Sequence, residues 1–254
     1  MIKIINITIL IYFSFLNYAL SDENSVTKFI SRETNECLNC DLSGMNFKHT
    51  DLTNANLSGS LLINTNFHRA NLRGVNFSDA KLFGVNLNKT DLIKANFNNA
   101  TITETMMYES NLSKSSFQNT LLEKVRSQKA IFTGANLENI IIKDSYFNES
   151  QLSSSNMKSI KVSNTNFTGA NFQKSDLSNS EFFRTIFTKS NFRKANLSYA
   201  KMIKTDFYKS RIRETVLQNT YFQDTNLLSA KFYKSDTSSV NYKNCILPSG
   251  EHLK

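Results

Sequence analysis

The chain has 254 residues with 30 Lys and Arg against 21 Asp and Glu, a formal charge of +9. Three Cys are too few for a disulfide framework and three His leave little material for a metal or acid–base centre, while seven Gly and one Pro exclude collagen-like and turn-rich chains. The charge is uneven: residues 22–157 hold 13 basic against 14 acidic side chains, whereas residues 158–254 hold 16 against 7.

Residues 1–21 have the pattern of a secretory signal: Lys3 as the positive start, an apolar run from Ile4 to Leu20, and small residues at Ala19 and Ser21. Asn6 and Asn17 interrupt the run, which falls short of the roughly 20 apolar residues of a membrane span. Cleavage after Ser21 and export to the periplasm or outside the cell are expected. Residues 22–39 follow as an N-terminal cap segment that can be helical, with Val26, Phe29 and Ile30 on one face. Cys37 and Cys40 form a CxxC. A structural disulfide or two buried thiols suits it better than a redox pair or half a metal site, because no second CxxC and no His pair accompanies it.

From Cys40 to Ser249 the sequence runs as 42 consecutive fives, as in Ala55-Asn-Leu-Ser-Gly, Thr65-Asn-Phe-His-Arg and Ala70-Asn-Leu-Arg-Gly. The third position is a large apolar residue in 40 of them, with Ser127 and Thr237 as the exceptions. The first position is Ala, Ser, Thr, Val or Cys in 39, with Met45, Ile140 and Ile160 larger. A period of five matches neither the 3.6 of a helix nor the 2.0 of a strand. A fixed period of this kind dictates the fold before any single element does.

Ala55-Asn56-Leu57, Ala70-Asn71-Leu72, Ala95-Asn96-Phe97, Ala135-Asn136-Leu137 and Ala195-Asn196-Leu197 carry the A(D/N)LXX motif, and the chain resembles the pentapeptide-repeat family over residues 40–249. The resemblance implies an all-β right-handed quadrilateral parallel β-helix, a solenoid of about ten coils with four fives to a coil. The sequence supports four unequal sides independently. The second position of the fives is Asn or Asp in 22 of 42, yet at 61, 81, 101, 121, 141, 161, 181, 201 and 221 it is neither. One side in four lacks the residue for nine coils running. Swapped sizes at Val125 and Ser127 suggest a distorted corner and a slight bend there, and residues 250–254 form a C-terminal tail after Pro248.

Sequons at Asn56, Asn76, Asn111, Asn166 and Asn196 are by-products of the repeat, and His49, His68 and His252 are read as scattered. No nucleophile set, carboxylate pair, phosphate loop or ligand spacing stands out, so the reading is non-catalytic, with no cofactor, no metal and no small-molecule substrate. Two surface features remain. Lys174, Arg193, Lys194, Arg211, Arg213, Lys231 and Lys234 form a candidate anion-binding surface, interrupted by Glu214, with Lys161, Arg184, Lys189, Lys201, Lys204 and Lys209 on the neighbouring sides. Leu61, Ile63, Phe83, Phe183 and Ile203 point outward in a line as a candidate apolar contact face, to be covered by the N-terminal segment or by a second subunit in a homodimer. The favoured function is an exported scaffold presenting flat faces to a protein partner. An anion-binding module acting on phosphate lipids, glycans or wall polymers is the alternative. The DNA-mimic role of gyrase-binding family members needs an acidic surface in the cytosol, opposite to this chain in sign and expected place, and nucleic acid is not the expected partner.

Overall fold

The structure is a computed structural model that describes residues 23–253, so the signal segment lies outside the described residues. Helix α1 (Glu23–Ile30) precedes a run of short strands. β1 (Leu61–Ile63), β2 (Lys81–Phe83), β3 (Thr101–Thr103), β4 (Leu121–Glu123), β5 (Ile141–Lys143), β6 (Lys161–Ser163), β7 (Glu181–Phe183), β8 (Lys201–Ile203), β9 (Tyr221–Gln223) and β10 (Asn241–Lys243) form one ten-stranded sheet in sequence order. Every pairing is parallel and advances by one coil, Leu61 opposite Lys81 and Lys81 opposite Thr101. The other three sides pair through single parallel bridges at the same offset, such as Asn46–Asn66, Asp51–Asn71 and Asn56–Asn76. The result is a parallel β-helix with four-sided coils. We number the sides face 1 (the sheet), face 2 (through Phe67), face 3 (through Leu72) and face 4 (through Phe77). Sides two apart in a four-sided coil are opposite, so face 1 is opposite face 3. At about 4.8 Å per coil step the ten strands span roughly 43 Å.

The corners explain the five. At most corners of faces 2 to 4 the amide of the next five returns to the central carbonyl, as from Ala70 to Phe67 at 2.8 Å and from Ala55 to Leu52 at 3.0 Å, whereas the amides of Ile160 and Thr215 donate to Ser180 Oγ and Ser235 Oγ instead. The residue two after the centre then takes a positive φ, 57° at Asn54 and 58° at Arg69, which is the third position of a type II turn. Such a turn leaves one amide pointing outward, and the Asn or Asp before the centre accepts it: Thr53 N–H to Asp51 Oδ1 at 3.0 Å, Ser78 N–H to Asn76 Oδ1 at 3.1 Å. Face 1 keeps three residues extended in each coil, so its backbone bonds run between strands and the Asn or Asp has no turn to serve. This is the physical cause of the Asn-poor column. At Gly59, Gly74 and Gly84 φ is +69°, +66° and +64°, and a Cβ would lie 2.1, 2.3 and 2.4 Å from the Oδ1 of Asn39, Asn54 and Asn64, so a side chain there would push aside the asparagine tip one coil below.

Inside, the central residues and the small residues fill the rod with side chain. Phe97 and Phe117 stack with centroids 4.6 Å apart, and Phe172 and Phe192 at 4.7 Å, because coil spacing places identical positions directly over one another. Ser and Thr replace Ala on the buried small register because carbonyls are in reach. Ser60 Oγ donates to Cys37 O at 2.8 Å and Thr120 Oγ1 to Phe97 O at 2.7 Å, whereas Ser115 Oγ uses Leu112 O in its own turn at 2.6 Å. The size swap at 125–127 is accommodated without a break in register. Val125 and Ser127 are both buried, Arg126 still bridges Tyr146, and the cost falls on Ser127 Oγ, which finds no partner among the described residues.

At the N-terminal end Phe29 is buried and meets Phe47 edge-on at 6.0 Å, with Val26 packed beside the core. Ile30 stays half exposed, so only part of the expected apolar stripe is used. Cys37 is bonded to Cys40 through sulfur, and it already sits on the buried central register, with Glu36 bridging Asn56. Coil geometry therefore begins one five before Cys40. At the other end β11 (Cys245–Ile246) and β12 (His252–Leu253) pair antiparallel, folding the tail back as a hairpin.

Candidate functional site

The basic candidate lies on face 3 and the apolar candidate on face 1, opposite sides of the rod. On a face the residues before and after the central one both point outward. Arg211 and Arg213 therefore flank the buried Ile212, with Asn191 and Arg193 one coil below and Lys231 and Tyr233 one coil above. These six, with Gln173, line a shallow groove. Of the seven basic residues expected here, Arg193, Arg211, Arg213 and Lys231 line it. Lys174, Lys194 and Lys234 occupy the adjoining corner column, at the positive-φ positions. Lys189 and Lys209 belong to face 2, but Lys161, Arg184, Lys201 and Lys204 belong to face 1, opposite the groove rather than beside it. The sequence reading placed them wrongly because it assigned charges to a half of the chain, not to a side of a coil.

Glu214 is the centre of the cluster rather than a gap in it. Its carboxylate is 2.9 Å from Arg213 Nε, 3.5 Å from Lys194 Nζ and 3.8 Å from Arg193 Nη2. Burial opposes its ionisation, but the Lys194 bond and the charges of Lys194, Arg193 and Arg213 outweigh burial and hold the carboxyl below the usual glutamate range. Arg213 also lies over the Tyr233 ring, 4.9 Å from its centroid, and Lys234 approaches the same ring at 5.5 Å. Arg211 and Lys231 form no ion pair among the described residues. Arg193 Nε is buried and has no acceptor among the described residues. Asn191 is already committed: its Nδ2 donates to Asn171 Oδ1 at 3.0 Å and its Oδ1 accepts the Arg193 amide at 3.1 Å. Tyr233, Gln173 and Asn191 escaped the sequence reading, which took Glu214 only as an interruption, although the column Gln173, Arg193, Arg213, Tyr233 is legible at a spacing of 20.

The apolar line on face 1 resolves into two patches. Leu61, Ile63 and Phe83 are half-buried by their neighbours on β1 and β2, while Phe183 (39 % exposed) and the half-buried Ile203 sit on β7 and β8 with the four strands β3–β6 between. Ile141 is a further exposed apolar residue that the sequence reading passed over. Phe183 is flanked by Arg184 at 5.0 Å and Lys204 at 5.9 Å, and Lys201 bonds Glu181 at 2.9 Å beside it. The contacts of the described N-terminal segment run to Phe47, Asp51 and Asn56 at the end of the rod, not onto this face.

His49 and His68 prove to be neighbours, rings 6.3 Å apart, because positions 19 apart meet across one coil step. Burial first, then the charges of Arg69, Lys48, His49 and Lys89, lower the His68 pKa, and no His, Cys, Asp or Glu group among the described residues is arranged to hold a metal ion. At three sequons the amide nitrogen is engaged across a coil step, Asn56 Nδ2 to Glu36 Oε2 at 2.7 Å, Asn76 Nδ2 to Asn56 Oδ1 at 3.0 Å and Asn196 Nδ2 to Asp176 Oδ1 at 3.2 Å.

Among solved structures the rod resembles HetL, a pentapeptide repeat protein involved in heterocyst differentiation regulation from the cyanobacterium Nostoc sp. strain PCC 7120. The two share 17 % identity over 92 % of this chain and 100 % of that one, with a TM-score of 0.55. It also resembles QnrB1, a plasmid-mediated fluoroquinolone resistance protein, at 17 % identity over 72 % of this chain and 93 % of that one, with a TM-score of 0.57. At such identities the likeness is one of fold. A comparison with curated protein sequences gives no match. Models of pentapeptide repeats match residues 40–79, 130–169, 145–182, 163–198 and 175–213, and a model of a pentapeptide repeat region matches 60–127; the chain belongs to the pentapeptide-repeat family.

Proposed function

We propose that this pentapeptide-repeat scaffold is exported, non-catalytic, and docks a protein partner on its flat faces. The observation that carries this reading is the ten-stranded sheet of face 1, whose outer surface sets Ile141, Phe183 and Ile203 among Lys161, Glu181 and Lys201. A rigid parallel sheet with apolar groups inside a charged frame is a surface for another protein. The expected signal segment supports export. Capture from the exported fraction tests both parts. Wild-type bait retains a defined partner, the Phe183→Ser/Ile203→Ser bait does not, and the mature protein begins after Ser21. A partner held equally by both baits removes face 1 from the reading, and an intact N-terminus in the cytosol removes export.

A second reading, an anion-binding module, is favoured by the face 3 groove with its unpaired Arg211 and Lys231. Salt-sensitive retention on heparin or anionic vesicles tests it. The DNA-mimic role requires an acidic face, and these C-terminal coils carry the opposite sign.

A further inference from the structure

We propose that the face 3 groove is a discrete site for one tetrahedral oxyanion group, a phosphate or a sulfate, held by Arg211, Arg213 and Lys231 with Arg193 at its edge, and that Glu214 is the internal counter-ion with which this ligand competes. The proposal rests on the anion-binding reading above and narrows it from a charged half of the chain to one site.

Four observations converge. First, the repeat places Asn or Asp at the second position of face 3 in Asp51, Asn71, Asp91 and Asn111, and again in Asn171 and Asn191. Arg211 and Lys231 then replace it in consecutive coils, about 4.8 Å apart, where like charges repel across the coil step. Nothing in the turn asks for a cation at that position, so the repulsion is left without a structural purpose. Second, Glu214 reaches Arg193, Lys194 and Arg213 but neither Arg211 nor Lys231, so the one carboxylate of the cluster serves three of its cations and leaves Arg211 and Lys231 without an ion pair among the described residues.

Third, Arg193 Nε–H is a buried donor without an acceptor among the described residues, the kind of group that is normally satisfied. Fourth, the guanidinium of Arg213 is held by Tyr233 on one side and by Glu214 through Nε on the other, which leaves its terminal nitrogens for a ligand. The walls are fixed as well, since Asn191 is locked into its ladder. Arginine forks match the paired oxygens of phosphate and sulfate, and a compact dianion answers several cations converging on one groove better than a single carboxylate does.

Calorimetric titration of the purified mature chain with sodium sulfate and sodium phosphate at constant ionic strength tests the site. The wild type binds saturably, one ion per chain. Arg211→Gln/Lys231→Gln weakens binding about tenfold or more, as expected when charge-assisted bonds are lost. Glu214→Gln tightens it about three- to tenfold by removing the competitor. Lys114→Gln, on the same side but coils away, leaves it unchanged. Circular dichroism establishes that each variant is folded. Vesicles with and without phosphatidic acid separate the sources. Retention that free sulfate displaces assigns the site to a headgroup, and saturation by free ions without vesicle retention assigns it to a soluble phosphate or sulfate. Undiminished heparin or vesicle retention by Arg211→Gln/Lys231→Gln overturns the groove while leaving a diffuse anion-binding surface standing. A wild type that neither saturates with ions nor is retained overturns both. Weaker binding after Glu214→Gln overturns the role given to that carboxylate.

Discussion

The coils around Asn56, Asn76 and Asn96 and the coils around Arg193, Arg213 and Lys231 have the same interior and different exteriors. In both, large residues such as Phe97 and Phe192 are fully buried and small ones such as Ala95 and Ala195 wedge between them. Outside, the first region links its coils by an amide ladder, with Asn76 bonded to Asn56 and Asn96 to Asn76, each at 3.0 Å. On face 3 of the second region the ladder stops at Asn191 and cations continue the column. The difference shows that the two outward positions of a five are not equally bound to the fold. The core holds the coil whether or not the ladder is present, and a face is free to acquire other chemistry where the ladder ends.

The largest break in that comparison comes from the interior. Phe97→Ala removes a ring stacked on Phe77 at 5.0 Å and on Phe117 at 4.6 Å, and should cost about 3–5 kcal/mol in denaturant unfolding. Phe183→Ala, the same chemical change on the outer surface of face 1, should stay within about 0.5 kcal/mol. Next comes the ladder. Asn76→Ala deletes two inter-coil bonds and the acceptor of the Ser78 amide, with an expected loss of about 1–3 kcal/mol. The converse change, Val216→Asn, restores the missing member of the face 4 column between Asn196 and Asp236 and should raise stability by about 0.5–1.5 kcal/mol.

The smallest effect is electrostatic. Because the Glu214 carboxyl is lowered in the folded protein, its ion pairs stabilise the fold above the ordinary glutamate value of 4.5 and are lost as pH falls through the lower folded value. The melting temperature of wild type should therefore drop more between pH 6 and pH 3 than that of Glu214→Gln, with other acidic groups cancelling in the difference. Equal drops would show that Glu214 contributes nothing to the basic face.

Most of the architecture was legible because it is written in a period. Fives from Cys40, a central apolar residue and a small wedge define the coil, and the missing Asn or Asp at 61, 81 and 101 marks the side that the structure builds as β1–β10. The reason for that gap was not legible, since it lies in which backbone amides a strand ladder engages and which a type II turn leaves free. The site was legible only as charge. Glu214 looked like an interruption of the Lys174, Lys194, Lys234 column, because a sequence column does not tell how far side chains reach sideways to Arg213 or down to Arg193. Tyr233 and the His49–His68 contact depend on the same cross-coil reach at spacings of 18 to 20, which the repeat period alone does not rank.

The measurement that bears most directly on the separation of fold from function is the variant Arg211→Asn/Lys231→Asn, which continues the amide ladder of Asn171 and Asn191 through the groove. Thermal unfolding and low-salt heparin retention are read on the same protein. The account predicts a melting temperature equal to or above wild type together with loss of retention. A lower melting temperature with retention intact would contradict it, because the cations would then be holding the coils together and binding would lie elsewhere.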